Sequence, residues 1–294
     1  MTSVSAVALL LAAAWDEPKV LATVRITGLT ESSGLVASRR HPGVFWTHND
    51  SGARPELFAI DAGGKLRGRC SVPGVKARDW ESLAAGPGPV KGQSYLYIGD
   101  IGNNMGHEKG ITVYRLREPE LKADRCSAAE ALTFRWPSRR HDAEALLIHP
   151  TSGDLYVVTK ERGDDRMTFV YKAAAPLKSG SALKRVAILD LPDTRLFTAV
   201  VGGVTGGDIS PDGRRVVLCD YLKAYEAELP PGSKRFDAIW RTKWQVVGTG
   251  LRPQGEAVAY RADGNAVVLT SEGESFNLIE VPRNAAKESR ASTK

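Results

Sequence analysis

Carboxylates recur along this chain at five similar positions, and each is followed by a small or apolar run. They are Glu31, Glu81, Glu144, Asp208 and Glu256. Carboxylates that come together repel one another unless a proton or a cation compensates their charge. Hard cations prefer carboxylate and carbonyl oxygens as ligands. If the fold gathers the five acids, the pattern predicts a metal site, and Ca²⁺ is the favoured ion.

A polar cluster follows the second apolar run of each unit, and loops of this kind often carry function. The predicted ligand-binding residues are Asn49, Asp50, Asn103, Asn104, Asp220, Tyr221 and Glu272. The candidate catalytic residues are His48, Asp79, Asp100 and Lys160. Imidazole and carboxylate groups are suited to act as a general base, and an ammonium group stabilises developing negative charge.

Short strands are the elements that must position these residues. The first four units each contain four apolar runs, rich in β-branched and aromatic residues and bounded by Gly, Pro and Asp. The fifth unit contains three such runs, and an unpaired run at residues 20–26 precedes the first unit. The sequence therefore predicts an all-β fold, a β-propeller of five four-stranded blades closed by the N-terminal strand, with six blades as the alternative.

A propeller places the innermost strand of every blade along the central axis. The start of that strand and the end of the second strand lie on the same face, so both sets of polar residues are expected around one end of the axis. A structural interpretation stays open for each acid, because a carboxylate there can accept backbone N–H bonds from the next blade.

Composition is that of a soluble globular domain, with 294 residues, 42% hydrophobic and 25% charged. We expect a single propeller domain over residues 18–282. The formal charge of +6 suits a small anionic ligand, but acidic residues are interspersed and no nucleic-acid-binding motif is present. Nucleic acid is therefore not an expected partner.

The two ends of the chain differ from the repeats. Residues 1–14 contain an apolar run that ends in alanines, which is typical of a secretory signal although the positive start is missing. An apolar first strand is the alternative interpretation. The run is too short to span a bilayer. We expect a secreted or periplasmic protein with no membrane span, and a disordered tail at residues 283–294.

Three cysteines are spaced without any metal-site pattern. Cys70 and Cys126 fall in outer segments of adjacent repeats, so either a disulfide or two reduced thiols is compatible with the sequence. Cys219 lies in an apolar run and is expected to be a buried thiol.

Several short motifs resemble exported bacterial propellers of the phytase-like and SdiA-regulated type. The strongest are Glu31-Ser-Ser-Gly-Leu, Trp46-Thr-His-Asn-Asp, Asp79-Trp-Glu-Ser-Leu-Ala and Gln254-Gly-Glu-Ala-Val-Ala. The resemblance implies an exported propeller with calcium on its axis and, in some relatives, phosphoester or ester hydrolysis. It assigns Glu31, Asp79, Glu81 and Glu256 as axial acids. The Asp-Asp-Pro-Ala opening of phytases is absent, and phytases have six blades.

Two functions from different classes follow from these observations. The first is an exported metal-dependent hydrolase that acts on a phosphorylated or ester substrate at the axial face. The second is a non-catalytic propeller that binds a small ligand or a protein on the same face. The chain contains no nucleophile elbow, zinc-protease motif, Walker loop or dinucleotide fingerprint.

Overall fold

The computed structural model describes residues 15–103, 106–160, 167–192 and 203–284. Within these ranges the chain is built from strands that form five separate sheets around one axis. Its helical content there is one short 3₁₀ segment, which has neither the length nor the hydropathy of a transmembrane helix. The predicted five-bladed propeller is confirmed, and the six-bladed alternative is wrong.

The strands follow the chain blade by blade. The first strand is β1 (Lys19–Val24). Blade 1 contains β2 (Ser32–Ala37), β3 (Val44–Asn49), β4 (Glu56–Asp61) and β5 (Leu66–Ser71). Blade 2 contains β6 (Trp80–Pro87), β7 (Ser94–Asp100), β8 (Gly110–Arg117) and β9 (Glu130–Arg135). Blade 3 contains β10 (Ala143–Ile148), β11 (Leu155–Thr159) and β12 (Thr168–Ala173).

Two further strands complete the middle of the chain. They are β13 (Ser181–Ala182), which pairs with β9, and β14 (Lys184–Leu189), which completes blade 3. Blade 4 contains β15 (Gly206–Ile209), β16 (Arg215–Cys219), β17 (Ala224–Glu228), the 3₁₀ helix (Phe236–Arg241) and β18 (Gln245–Val247). Blade 5 contains β19 (Gly255–Tyr260), β20 (Ala266–Ser271) and β21 (Phe276–Pro282).

The ring closes between the two ends of the chain. β1 pairs antiparallel with β21, and Val24 lies opposite Phe276. Beside this closure Trp15 is buried, and its backbone forms an isolated antiparallel β-bridge with Arg283. The Arg283 guanidinium group lies over the indole ring of Trp15. The closing strand predicted at residues 20–26 is therefore confirmed. The predicted signal segment, residues 1–14, and residues 285–294 of the predicted tail lie outside the described residues.

The first strands of the five blades pack tightly around the axis. A side-chain carbon at Gly34 would come within 2.7 Å of the Leu83 backbone nitrogen in the next blade. At Gly206 it would come within 2.5 Å of the Glu256 carbonyl oxygen. Glycine permits this close approach of backbones. We call the end of the ring where these strands begin the upper end, and the end where they finish the lower end.

Hydrophobic layers between neighbouring blades hold the ring together. Trp46 and Trp80 belong to the layer between blades 1 and 2, and Tyr156, Tyr225 and Trp240 belong to the layer between blades 3 and 4. Full burial of a large apolar side chain contributes roughly 1.5–3 kcal/mol. The aromatic residues that mark the strands in the sequence are thus also the residues that join the blades.

A disulfide links Cys70 at the end of β5 to Cys126 in the connection between β8 and β9. It ties blade 1 to blade 2 across a sequence separation of 56 residues. A bridge that closes a loop of this length stabilises the folded chain by roughly 4 kcal/mol. Of the two alternatives that the sequence left open, the structure contains the disulfide. Cys219 is a buried free thiol, as predicted.

Candidate functional site

Three of the repeated acids occupy the same irregularity in the inner strands. In β6, Glu81 is the extra residue of a β-bulge, because its neighbours Trp80 and Ser82 pair with consecutive residues of β7. The corresponding extra residues in the other blades are Ser33, Glu144 and Glu256. The pairing of β15 with β16 has no interruption. A bulge turns a side chain out of the regular alternation, and here it supplies a glutamate at the upper end from three blades.

Asp50, Asp79 and Glu81 form the closest group of carboxylates, which we call the acidic pocket. One oxygen from each lies within 4.8 Å of the others. Gly102 lies directly against them, and a side-chain carbon at that position would overlap Asp79 Oδ2 and Glu81 Oε1. The absence of a side chain at Gly102 therefore lets its loop lie directly against two of the three carboxylates.

Burial makes these carboxylates reluctant to ionise. It raises the pKa of Asp79 to about 6, with Asp50 adding to the effect. It also raises the pKa of Glu81 well above its ordinary value, with Glu144 as the next contributor. The pKa of Asp50 is raised by burial as well. The pocket thus holds more negative charge than its surroundings compensate, which is the condition that favours a proton or a cation.

Among the described residues, Lys160 forms an ion pair with one acid, Glu144. Its ammonium group lies 2.7 and 2.6 Å from the two carboxylate oxygens of Glu144 and donates to the Tyr221 hydroxyl at 2.9 Å. Burial raises the pKa of Glu144 to about 7 against the opposing effect of Lys160. Burial alone would lower the pKa of Lys160, but Glu144 reverses this and holds it above its ordinary value. Lys160 is therefore charged and committed to Glu144.

Blade 5 adds two acids to the upper end. Burial raises the pKa of Glu256 to about 9, and Glu144 adds to the increase. Glu272 is half-buried, accepts a hydrogen bond from Gln254 and has a raised pKa because of burial and the nearby Asp50. Glu256 consequently carries a proton at neutral pH in the protein without a bound cation.

Two predicted site residues hold the loops of the pocket in place. Asp100 accepts a hydrogen bond from the Asp79 backbone nitrogen at 3.1 Å and forms an ion pair with Arg78 at 3.0 Å. Asn103 donates its backbone N–H to Asp142. Its side-chain amide donates to the Glu108 carbonyl oxygen and accepts the Glu108 backbone N–H. Their side chains therefore fix the backbone on either side of Gly102. Asn104 lies outside the described residues.

Two further predicted ligands also stabilise turns. Asn49 Oδ1 accepts the backbone N–H groups of Thr30 and Glu31. Asp220 accepts the backbone N–H groups of Leu222 and Lys223 and the hydroxyl of Tyr225. Asn49 and Asp220 therefore have a structural role, because each accepts backbone N–H groups and holds a turn in place.

His48 is fully buried between blades 1 and 2. Its ring meets Trp80 edge-on at a centroid distance of 5.5 Å, and its Nδ1 lies 2.8 Å from the Asn49 carbonyl oxygen. Burial lowers the pKa of the imidazole, which favours the neutral form. His48 thus supports the loop that carries Asp50 and does not lie open to the pocket.

Four of the five acids lie at the upper end, and the expectation of one shared rim is corrected for Asp208. Glu31 is exposed at the edge of the upper end, where its backbone forms an isolated antiparallel β-bridge with that of Glu272. Asp208 faces the lower end, in a cavity that it shares with Ser38, Arg39 and Ala262. Because β15 lacks the bulge, its acid stands at a regular strand position and not beside Glu81.

Asp208 accepts backbone hydrogen bonds from Ile209 at 2.8 Å and from Tyr260 at 2.9 Å. Burial raises its pKa to about 7, although these two bonds and Arg39 oppose the increase. It fastens blade 4 to blade 5, which is the structural role that the sequence had kept open.

Comparisons with known proteins agree with the fold and give no family. No protein-family model matches the chain, and no curated protein matches it in sequence. A solved glucose dehydrogenase is similar in structure, with a TM-score of 0.52 and 12% sequence identity over 92% of this chain and 100% of that one. At this identity the likeness shows a propeller fold alone. The resemblance to phytase-like and SdiA-regulated propellers is not confirmed beyond the fold.

Two residues of the site are not among the candidate site residues that the sequence suggests. Asp142 contributes to the raised pKa values of Asp79 and Glu81 and accepts the Asn103 backbone N–H at 2.8 Å. The spacing Asp79-x-Glu81 recurs as Asp142-x-Glu144, and this repetition could have identified it. Gly102 carries no comparable signal, because its importance depends on a contact between separate loops.

Proposed function

We propose that this chain is an exported propeller that binds a hard divalent cation, of which Ca²⁺ is the favoured ion, and hydrolyses a phosphorylated or ester substrate at its upper end. One observation carries the proposal: carboxylate oxygens of Asp50, Asp79 and Glu81 lie within 4.8 Å of one another. All three are oxygen ligands, which Ca²⁺ prefers over the nitrogen and sulfur ligands typical of zinc sites.

The residues present fit a cation in two further respects. Gly102 lets its loop pack closely against Asp79 Oδ2 and Glu81 Oε1, and a side chain at this position would displace these oxygens. The nearest buried ammonium group, that of Lys160, is held by both carboxylate oxygens of Glu144. The charge of the acidic pocket is thus left for a proton or a metal ion to compensate.

A bound cation of this kind would supply Lewis acidity, polarising a phosphoryl or carbonyl oxygen and lowering the pKa of a water molecule. The chain's own residues have separate tasks. Asp50, Asp79 and Glu81 would hold the ion. Glu256, whose pKa burial raises to about 9 in the protein without a cation, would donate a proton to the leaving group. Lys160 would orient Glu144 and the Tyr221 hydroxyl beside the substrate.

An anionic part of the substrate has a binding partner next to the pocket. A cavity of about 370 Å³ adjoins the loop of Asp50, and its polar lining includes Thr30, Asn49, Ser51 and Arg54 together with Glu31 and the ion pair of Glu56 with Arg69. Arg54 makes no ion pair within the described part of the chain. A guanidinium group in this position would bind a phosphate or carboxylate group.

The disulfide supports export. Bridges such as Cys70–Cys126 persist in oxidising compartments and are rare in the cytosol. A secreted or periplasmic location, which the apolar run at residues 1–14 also favours, is therefore part of the proposal.

Non-catalytic binding is the second candidate, and a specific observation favours it. Two of the predicted proton-transfer residues are committed elsewhere, since His48 is fully buried and Asp100 is bound by Arg78 and the Asp79 backbone. The cation would then be a structural part of a surface that recognises a small ligand or a protein.

Metal analysis combined with thermal unfolding tests the cation. Purified protein is treated with EDTA, and its melting temperature is measured with added Ca²⁺, Mg²⁺ and Zn²⁺. We expect the largest increase with Ca²⁺, because an ion that binds only the folded state stabilises it. The Gly102→Ala variant should lose this increase. A melting temperature that is unchanged by all three ions would contradict the proposal.

Hydrolysis is tested separately on panels of phosphate monoesters, phosphate diesters and carboxylic esters, with and without EDTA. We expect turnover that EDTA abolishes and that Glu256→Gln reduces, while the Ca²⁺-dependent melting shift is retained. A protein that binds Ca²⁺ but turns over no compound of the panels would leave the non-catalytic candidate as the function.

A further inference from the structure

A second cavity lies at the lower end, about 530 Å³ in volume. It opens among the turns at the far ends of blades 1 and 2, and Arg39, Arg40, Arg117 and Glu118 line it together with Ser94. Small-molecule sites in proteins have volumes of roughly 300–1,000 Å³. The cavity is therefore large enough for a ligand, and arginine dominates its charged lining.

Two of the three arginines have no ion-pair partner among the described residues. Arg40 forms an ion pair with Glu120 and donates to the Glu118 carbonyl oxygen at 2.9 Å. Arg39 and Arg117 form no hydrogen bond or ion pair in the described part of the chain. Arg39 is exposed to solvent, and the partial burial of its side chain lowers its pKa, an effect that the charges of Asp208 and Glu118 oppose. Two guanidinium groups thus face one cavity without a carboxylate partner.

The polar lining of the cavity also lacks hydrogen-bond partners. Glu118 is 1% exposed, and its Oε1 accepts bonds from Ser38 Oγ and Trp46 Nε1, the latter at 3.1 Å. Its Oε2 has no partner among the described residues, and neither has the hydroxyl of Ser94. A buried carboxylate oxygen without a donor is costly. A simple anion would leave that oxygen unsatisfied, whereas a ligand with hydroxyl groups beside its anionic group would supply the donor.

We propose that the lower cavity is a binding site for a small hydroxylated anion, such as a sugar phosphate or a sugar acid, whose anionic group is held by Arg39 and Arg117 and whose hydroxyl groups reach Glu118 and Ser94. Paired guanidinium groups recognise phosphate and carboxylate through charge-assisted hydrogen bonds. The site is separate from the acidic pocket, because the inner strands between the two ends pack at backbone contact distance.

The lower site can be tested by titration calorimetry with glycerol 3-phosphate, gluconate, inorganic phosphate and glycerol. We expect one of the two hydroxylated anions to bind tightest, inorganic phosphate to bind at least about tenfold more weakly, and glycerol not to bind detectably. Arg39→Gln and Arg117→Gln should each weaken binding at least about tenfold, since each removes a charge-assisted contact.

Arg241→Gln is the matched control, because Arg241 is an exposed arginine on the 3₁₀ helix, away from the cavity. Its binding should equal that of the wild type. Gly102→Ala should also bind the anions normally, which separates this site from the acidic pocket. No binding by either hydroxylated anion, equal affinity for inorganic phosphate, or affinity that survives in both arginine variants would overturn the proposal.

Discussion

The upper and lower ends of the inner ring are made by the same five strands, yet they differ in the charge that they leave uncompensated. At the upper end three carboxylates converge, and the one buried ammonium group beside them is taken by Glu144. At the lower end Asp208 is satisfied by two backbone N–H groups, and among the described residues the guanidinium groups of Arg39 and Arg117 have no carboxylate in ion-pair contact. The proposed cation site and the proposed anion site thus lie at opposite ends of one ring.

The β-bulges of the inner strands account for much of this difference. The bulges in β6, β10 and β19 each insert one residue that turns a glutamate to the upper end. In β15 the ladder is regular and the acid follows the alternation of the strand. A shift of one residue reverses the direction of every side chain in a strand. An acid near the start of an inner strand is therefore a site residue only where the bulge is present.

The largest expected effect is that of Lys160→Met. The substitution leaves Glu144 buried without its partner, and breaking one side of a buried ion pair costs roughly 3–5 kcal/mol of unfolding free energy. The loss should appear in urea unfolding at pH 8 and become smaller at pH 5, because Glu144 has a pKa of about 7 and takes up a proton as the pH falls. The double variant Glu144→Gln/Lys160→Met should recover most of the stability. A double variant as unstable as the single one would contradict this account.

Gly102→Ala should have the next largest effect, confined to the upper end. The added carbon overlaps Asp79 Oδ2 and Glu81 Oε1. At a Ca²⁺ concentration of about 100 times the dissociation constant, the ion would stabilise the wild type by about 2.7 kcal/mol, and the variant should lose this gain. Gly248→Ala is the control, since an added carbon there has no neighbour within 4 Å. If both variants keep the Ca²⁺-dependent gain, the carboxylates beside Gly102 do not hold the ion.

Asp208→Asn tests the lower end through pH. The folded-state pKa of Asp208 is about 7, above its unfolded value, so its stabilising contribution is complete at low pH and is lost as the pH rises through 7. Between pH 6 and 8 the wild type should lose about 1.4 kcal/mol from this group, and the variant should lack that loss. The comparison requires urea unfolding of both proteins at the two pH values.

The same variant should leave the Ca²⁺-dependent melting shift unchanged, because Asp208 faces the cavity of Arg39 and not the acidic pocket. A reduced shift would show that the two ends are coupled.

The smallest effect is expected for Glu31→Gln. Glu31 is exposed, and substitutions at such positions usually change stability by less than about 0.5 kcal/mol. The Ca²⁺-dependent melting shift should also be retained, whereas Glu81→Gln should abolish it. Equal loss in the two variants would return Glu31 to the ion-binding group that the sequence motif suggested.

Most of the fold was predictable from the sequence, because each strand is marked by its own apolar run and by turn residues at both ends. The closing strand was identified for the same reason, as a run left without partners. The 3₁₀ helix at Phe236–Arg241 was missed, since its short segment depends on packing of Ile239 and Trp240 against the core.

The site was predictable only in part. Glu81, Glu144 and Glu256 were found because a carboxylate before an apolar run is visible in the sequence. The bulge that distinguishes them from Asp208 is not visible, because it depends on the register between two strands. The sequence predicts His48 as a rim residue because it adjoins Asn49 and Asp50. In the structure, the alternation of side chains along β3 directs it between blades 1 and 2, beside Trp80.

The closure of the ring also fixes an order of events during synthesis. The strand Lys19–Val24 leaves the ribosome first, and its partner Phe276–Pro282 leaves last. Blade 5, which carries Glu256, therefore has no complete sheet until the whole propeller sequence has been made. A chain that crosses a membrane unfolded would thus reach the far side before its ring could close. The clusters of charged side chains at the two ends of the axis would form only there.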